Sequence, residues 1–298
     1  MNGPYTFVYL LGSLLFLPIW LLLFWRLPGA RREMLVMSGL FVSIGVPMEA
    51  LLYTRDWWHP VTITGTLVGI EDVIYSIGNG GYMAALYVAL TRSTYQRGTP
   101  PSVWLRGAPV LCLVLVPLVL VFGFGVHSFV ATTVGSLAAL AIVLGPRPDL
   151  TRVAVVTGVV GAAVAIPVYL AMEAIFPGSI AATWDLPHLS GLLPLGIPIE
   201  DLLWYVYTCA VWGTYYKFAT GLRVASQAAR KIDGSGRDAE IRTRGLVVPN
   251  DARYQAALHP ENCALGGCRM SVLKGSWRLP LSLWLLARPI PGRRGGDR

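Results

Sequence analysis

The chain has 298 residues, of which 54% are hydrophobic and only 13% are charged, and its mean hydropathy is +0.57. A soluble globular domain carries about 25% charged residues, so this composition excludes an ordinary soluble enzyme and a disordered regulator. The formal net charge of +8 does not indicate a nucleic-acid partner, because residues 223–298 hold 14 of the 24 basic residues and only 6 of the 16 acidic ones. The electrically neutral remainder is typical of a polytopic membrane protein.

Apolar runs that cross ~30 Å of hydrocarbon need about 20 residues. Taken in chain order, such runs lie near 4–25, 33–53, 67–91, 103–124, 128–145, 151–175 and 196–220. We predict helices, because backbone groups in lipid must be satisfied within their own segment. The first run lacks a basic leader and a small-residue cleavage site, so we interpret it as a permanent helix. The predicted fold is an all-α membrane bundle of about seven transmembrane helices.

The loops between these runs predict an orientation. Nine basic residues fall on one side of the membrane under this count, namely Arg26, Arg31, Arg32, Arg92, Arg97, Arg106, Arg147, Arg152 and Lys217. Only Arg55 falls on the other side. By the positive-inside rule, we expect a multi-pass protein of the cell membrane with its N-terminus outside and its C-terminus in the cytoplasm.

Two stretches of the chain match each other in order. Residues 48–51 and 172–175 both begin Met-Glu-Ala, residues 70–75 and 199–204 both begin Ile-Glu-Asp, and Trp, Pro and two Gly recur between them. This pattern predicts two parallel three-helix repeats about an axis along the membrane normal. The predicted organisation is a first repeat over 1–93, a linking helix over 94–126, a second repeat over 127–222 and a basic tail over 223–298.

The repeated motifs carry acidic residues next to apolar helices. Six candidate catalytic residues follow, namely Glu49, Glu71, Asp72, Glu173, Glu200 and Asp201. Read singly, each is an interfacial charge at a helix end, favoured at an N-terminus by the helix dipole. Their duplication instead favours a cavity between the halves, because carboxylates in membrane spans usually face one. Neighbouring buried carboxyls can divide into a proton donor and a proton acceptor.

Aromatic residues accompany the acids and are candidates for contact with a substrate. They are Trp58, Tyr75, Trp184, Trp204, Tyr205 and Tyr207. For Trp58 and Trp184 an interfacial aromatic belt is the alternative. Aromatic faces can stabilise a cation in a desolvated site. The pattern indicates neither a metal site nor a nucleotide loop, so we expect no cofactor. An acid, a base and π-faces in a cavity open to lipid suit proton-initiated chemistry on a polyene.

Residues 191–204, which read Gly-Leu-Leu-Pro-Leu-Gly-Ile-Pro-Ile-Glu-Asp-Leu-Leu-Trp, resemble the Pro-x-Glu-Glu/Asp-x-x-Phe helix of the small integral-membrane lycopene cyclases. The resemblance extends to the three-helix organisation over residues 1–222. It implies a carotenoid cyclase, an isomerase or intramolecular lyase that closes the ends of a linear polyene without redox change. Two departures concern the first copy, which has Gly69 where the second has Pro198, and the second helices, which end in Met-Glu rather than Asn-Asp.

The resemblance implies roles for particular residues. Glu200 would protonate the terminal double bond, with Glu71 or Glu173 as its partner, and Trp204 and Tyr75 would stabilise the resulting cation. A carboxylate would then remove a proton, and the carbon that loses it would set a β, ε or γ ring. The division between acid and base stays open at this point.

Other functions remain as alternatives. A proton-coupled transporter would also use intramembrane acids and parallel repeats, and a carotenoid hydratase would quench the cation with water. A retinal-binding photoreceptor is disfavoured because Lys217 lies at the inner end of the last span. Both repeats carry the acids, so we expect no obligatory partner subunit, while homo-oligomers stay open. The basic tail is expected to be disordered or to lie on membrane lipid.

Overall fold

A computed structural model describes residues 5–225, which fall within one compact unit, Met1–Ser226. The helices are α1 (Val8–Arg26), α2 (Arg31–Met48), α3 (Ile70–Thr91), α4 (Val103–Phe124), α5 (Ser128–Leu144), α6 (Thr151–Ile175), α7 (Ser179–Thr183) and α8 (Ile199–Thr220). Two short strands, β1 (Thr94–Gln96) and β2 (Arg223–Ala225), follow α3 and α8. The basic tail predicted over 223–298 lies outside the described residues from residue 226 onward.

The long helices coincide with the seven apolar runs, which confirms the prediction of an all-α membrane bundle. Among the described residues, five segments are long and apolar enough to cross a membrane: α1, the segment Pro28–Asp56 that contains α2, α3, α4, and the segment Pro148–Ile175 that contains α6. Helix α5 is apolar but shorter. Helix α8, which carries Glu200, Asp201 and Lys217, is not one of the five. The number of seven crossings therefore stays a prediction.

Helix α2 does not end as a regular α-helix. Its last turn passes into a π-helical turn, Glu49–Tyr53, followed by a single α-turn, Thr54–Asp56. Pro47 lies just before this turn and has no N–H to donate to the preceding turn. A π-turn inserts extra chain into the helix and is frequent at functional sites. The inserted turn begins at Glu49, which sets the direction of that carboxyl.

Short antiparallel pairings join equivalent segments at both ends of the bundle. At one end, Trp58 and Trp184 form an isolated bridge, His59 N donates to Thr183 O and Asp185 N donates to Trp57 O. At the other end, β1 pairs with β2, and Tyr95 is opposite Val224. Tyr95 and Val224 are equally far along the chain from Asp72 and Asp201. Segments related by a two-fold axis meet antiparallel, so both pairings fit the predicted repeat.

Close packing and a buried ion pair hold α2, α3 and α8 together. A Cβ at Gly80 of α3 would lie 2.7 Å from Met37 O and 2.9 Å from Ser38 Cα, so α3 and α2 touch backbone to backbone. On α8, Lys217 Nζ lies 2.6 Å from Glu33 Oε1 of α2, and both side chains are buried. Lys217 also donates to Ala84 O and Gly213 O. These contacts fix α2, α3 and α8 around one interior.

Candidate functional site

One large cavity lies between the helices at the end that carries the Trp58–Trp184 bridge. Its empty volume, counted with the open mouth, is ≈ 1060 Å³. Twelve of its 25 lining residues are aromatic, two are acidic, namely Glu49 and Asp201, and none is basic. Largely apolar walls with a few polar groups are typical of a site for a small molecule. The absence of a lining cation means that the two carboxyls meet any ligand without a neutralising partner on the wall.

The first acidic centre consists of Glu49 and Asp72. Asp72, on the first turn of α3, accepts a hydrogen bond from Tyr9 Oη at 2.5 Å and another from Gly69 N at 2.6 Å. The carboxyl of Glu49 interacts with Asp72, Trp58 and Tyr9, and its Oε1 atom is buried without a hydrogen-bond partner. Like charges so close in a dry site do not both ionise readily, so a facing carboxyl pair tends to share a proton.

The second acidic centre is Asp201, on the first turn of α8. Its Oδ2 accepts a hydrogen bond from Tyr169 Oη of α6 at 2.6 Å. The indole N–H groups of Trp57 and Trp184 also face this carboxyl, although neither donates a hydrogen bond. Donors directed at a carboxyl favour its ionised form. The two acidic centres therefore differ in their surroundings, with a second carboxyl at one and N–H and O–H donors at the other.

The difference between Asp72 and Asp201 begins at the residue three positions earlier. Gly69 is the N-cap of α3, and its N–H donates to Asp72 Oδ2, which is one half of a capping box. The corresponding N-cap of α8 is Pro198, which has no N–H. Asp201 therefore cannot accept the same hydrogen bond, and its carboxyl is free for Tyr169 and the cavity. The departure between the two sequence copies thus has a direct structural consequence.

Four of the six predicted acids do not line the cavity; one is Asp72, the partner of Glu49, and the other three bind neighbouring backbone. Glu71 Oε1 accepts from Ile63 N at 2.6 Å and Glu200 Oε1 accepts from Ser190 N at 2.7 Å, so each holds the loop before its own helix. Glu173 accepts hydrogen bonds from Gly178 N and Ile180 N and so caps α7. Glu49 and Glu173 share the Met-Glu-Ala motif but differ in placement, because α2 has a π-turn at this position whereas α6 stays α-helical.

Most of the predicted aromatic residues line the cavity. Trp58, Tyr75, Trp184, Trp204 and Tyr205 do so. Trp204 lies at their centre, with ring centroids 5.1 Å from Tyr205 and 6.4 Å from Tyr75. Tyr207 does not line the cavity and packs beside Phe129 instead.

Sequence reasoning missed two tyrosines that bind aspartates of the two acidic centres. Tyr9 is on α1 and Tyr169 is on α6. Tyr169 lies one helical turn before Glu173, which places it on the same face as a predicted acid and could have drawn notice. Tyr9 carries no comparable signal, because its partner Asp72 is distant along the chain and only the packing of α1 on α3 brings them together.

Titratable groups outside the spans show two clear effects of their surroundings. The Asp185 carboxyl, 2.9 Å from the ring of His188, raises the pKa of His188 above its ordinary value. Burial, and then the neighbouring Glu33 carboxyl, raise the pKa of the Tyr95 hydroxyl above its ordinary value. Neither group faces the cavity. Within residues 5–225, no three His, Cys, Asp or Glu side chains are grouped so that they could hold a metal ion.

Fold and cavity together define a class, namely a membrane-embedded helical protein with an aromatic cavity that carries separated carboxyls. Residues 126–219 match the family model described as lycopene cyclase, which confirms the resemblance predicted from the sequence. At the level of the family, this match supports a carotenoid cyclase, which is an enzyme with a lipophilic substrate. No curated protein and no solved structure matches the chain.

Proposed function

We propose that this protein is a carotenoid cyclase, an isomerase that closes an end of a linear polyene such as lycopene into a ring. The observation that carries the proposal is the pair of unlike acidic centres on one aromatic cavity wall, at Glu49 and at Asp201. The reaction adds one proton to the polyene and removes another, so a proton donor and a proton acceptor are needed in the same site. No redox partner is needed for this balance.

In this proposal Glu49 is the acid. It shares a proton with Asp72, and its unpartnered Oε1 belongs to a cavity-lining side chain. Glu49 transfers the proton to the terminal double bond, and the positive charge appears on the more substituted carbon. The next double bond attacks that carbon, a carbon–carbon bond closes the ring, and the charge moves into the ring. This assignment replaces Glu200, because the Glu200 carboxyl is bound to the loop at Ser190.

Asp201 is the base in the same proposal. The Tyr169 hydroxyl donates to Asp201 and stabilises its ionised form against the opposing effect of burial. Asp201 removes a proton from a carbon beside the ring cation, and the electron pair left behind forms the ring double bond. Product and substrate then have the same mass, and the position of Asp201 against the ring sets the ring type.

The aromatic wall has two roles in this proposal. The faces of Trp204 and Tyr75 stabilise the cation while it exists, since π-faces attract positive charge most strongly when water is excluded. The same rings keep water from the cation, which favours loss of a proton over hydration. The polyene reaches the cavity from the membrane lipid, and both acidic centres lie in one chain, so the proposal needs no partner subunit.

The test is expression in a lycopene-accumulating bacterial host, with the pigments resolved by chromatography and mass. We expect a product of unchanged mass with altered retention and absorption. Glu49→Gln should lower its formation by about 10²-fold or more, the range for loss of a general acid. Glu173→Gln is the matched control and should retain activity. Glu173 has the same Met-Glu-Ala motif as Glu49 but lies outside the cavity.

Different results would point elsewhere. A product heavier by one water would identify a hydratase. Unchanged lycopene, with the protein present in the membrane, would contradict a lycopene cyclase. Equal activity of Glu49→Gln and the parent protein would refute the assignment of the acid while leaving the cyclase in place.

A further inference from the structure

In the proposed function, on which this inference rests, the two acidic centres must regain their starting protonation states after each reaction. Each ring closure leaves Glu49 without its proton and Asp201 with one that it did not have. A second substrate can react only after the proton has returned. Both carboxyls are buried, each with 6% of its surface exposed. A route inside the protein would therefore restore them faster than a route through bulk water.

Four tyrosines lie between the two centres. Tyr169 Oη donates to Asp201, and Tyr9 Oη donates to Asp72, the partner of Glu49. Between them, the hydroxyls of Tyr75 on α3 and Tyr205 on α8 are 2.7 Å apart. This hydrogen bond joins α3 of the first predicted repeat to α8 of the second.

The remaining steps join neighbouring tyrosines on the cavity wall. Tyr205 and Tyr169 interact, with ring centroids 6.2 Å apart. Tyr75 and Tyr9 have ring centroids 6.3 Å apart. A phenol is both a donor and an acceptor, so it can pass a proton on while taking up another. Where two hydroxyls are not bonded directly, rotation of a hydroxyl or a bridging water completes the step.

We infer that Tyr169, Tyr205, Tyr75 and Tyr9 form a relay that returns the proton from Asp201 to the Glu49–Asp72 pair after each ring closure. In each cycle, Asp201 gives its proton to Tyr169 as Tyr169 passes one to Tyr205. Tyr205 and Tyr75 pass a proton across their hydrogen bond, and Tyr9 delivers one to Asp72 and Glu49. Each phenol regains a proton as it gives one up, so only the two acidic centres change.

A crossover experiment tests the relay directly. Membranes that contain the full chain receive a mixture of unlabelled and fully deuterated lycopene in ordinary water. If the proton returns through the relay, a deuteron taken from a labelled molecule advances along the tyrosines with successive turnovers and is given to a later substrate. Unlabelled skeletons should then form product heavier by one deuterium, in proportion to the labelled fraction. Return through bulk water would instead give unlabelled skeletons without deuterium.

Two variants locate the path. In Tyr205→Phe the ring stays in the cavity but the bond to Tyr75 is lost, so crossover should fall to background while cyclised product still forms. Tyr75→Phe should do the same and serves if Tyr205→Phe is not recovered in membranes. Tyr207→Phe is the matched control, because Tyr207 is on the same helix outside the cavity, and it should keep full crossover.

The outcomes separate the relay from the proposed function. Cyclised product without deuterium crossover in the parent protein would overturn the relay and leave the cyclase intact. Undiminished crossover in both Tyr205→Phe and Tyr75→Phe would overturn this path. Failure of the parent protein to cyclise lycopene would instead count against the proposed function itself. A slower Tyr205→Phe protein with full crossover would show that the residue only supports the cavity, which also refutes the relay.

Discussion

Gly69 and Pro198 occupy the same place before an aspartate, and the difference between them directs that aspartate. The N–H of Gly69 donates to Asp72, whereas Pro198 has no N–H to offer Asp201. A capping interaction is worth about 1 kcal/mol, which corresponds to a population ratio of about five. In the proposed cyclase, Pro198 therefore keeps Asp201 available as the base.

We expect Pro198→Ala to lower cyclase activity by about fivefold, because the new N–H competes for Asp201 with an energy of about 1 kcal/mol. The measurement is the initial rate of ring formation in membranes, normalised to the amount of inserted protein. Pro194→Ala, in the same loop but away from the aspartate, is the control and should be unaffected. Equal rates for the two variants would show that the missing N–H does not matter.

The two acidic neighbours on α8 make a second prediction at this scale. Asp201→Asn should lose about 10²-fold or more of the ring-forming rate, the usual size for a general base. Glu200→Gln should retain most of it, because its carboxyl binds Ser190 N rather than the cavity. Both rates are measured in the lycopene-accumulating host against the level of inserted protein. The reverse order of losses would support Glu200, the residue that the sequence favoured.

Part of the site could be predicted from single residues. Carboxylates stand out in an apolar chain, because their burial is costly unless it serves a purpose, and this directed attention to Glu49, Asp72 and Asp201. Tyr9 and Tyr169 could not be recognised in the same way, since tyrosine is unremarkable near a membrane interface. Their importance depends on which carboxyl they meet, and that is decided by helix packing.

At the scale of elements, the sequence predicted the positions of the long helices but not the π-turn in α2. Apolar length determines where a span lies, whereas a π-turn depends on a local balance of hydrogen bonds that composition does not reveal. The consequence is large, because Glu49 after this turn lines the cavity whereas its sequence equivalent Glu173 does not. A repeat in sequence therefore does not guarantee two equal sites.

The contact between α2 and α3 depends on Gly80. A Cβ there would meet Met37 O at 2.7 Å and Phe41 Cβ at 2.8 Å, and the first of these is backbone that cannot move alone. We expect Gly80→Ala to destabilise the fold by about 1–3 kcal/mol, the usual cost of overpacking. The thermal midpoint of the detergent-solubilised protein should fall. Gly39→Ala on α2, where nothing lies within 4 Å, should leave the midpoint unchanged, and equal midpoints would contradict the tight contact.

For the whole molecule, we propose that residues 1–93 and 127–222 are repeats related by a two-fold axis along the membrane normal. The antiparallel pairings at both ends of the bundle support this proposal. The segment that matches the family model, 126–219, also coincides with the second unit to within a few residues. The buried pair of Glu33 and Lys217 would then connect the two repeats at the end opposite the cavity.

We expect Glu33→Leu alone to destabilise the protein by about 3–5 kcal/mol, because Lys217 would stay buried without its carboxylate. The double variant Glu33→Leu with Lys217→Met removes both charges and should recover much of the loss. The measurement is the thermal midpoint in detergent together with the amount of protein in the membrane. A double variant that is no better than the single one would show that the ion pair is not what these side chains contribute.

The charges also predict how the whole bundle lies in the membrane. The loops at the β1–β2 end carry most of the basic residues of the bundle, whereas Arg55 lies near the cavity end. We propose that the β1–β2 end faces the cytoplasm, with the N-terminus outside, because short basic loops stay inside.

Leu67→Cys, in an exposed loop at the cavity end, should react with a membrane-impermeant maleimide in intact cells. Thr99→Cys, at the other end, should react only after the cells are opened, and the parent chain sets the background from its four cysteines. Labelling of Thr99→Cys but not of Leu67→Cys in intact cells would indicate the opposite orientation.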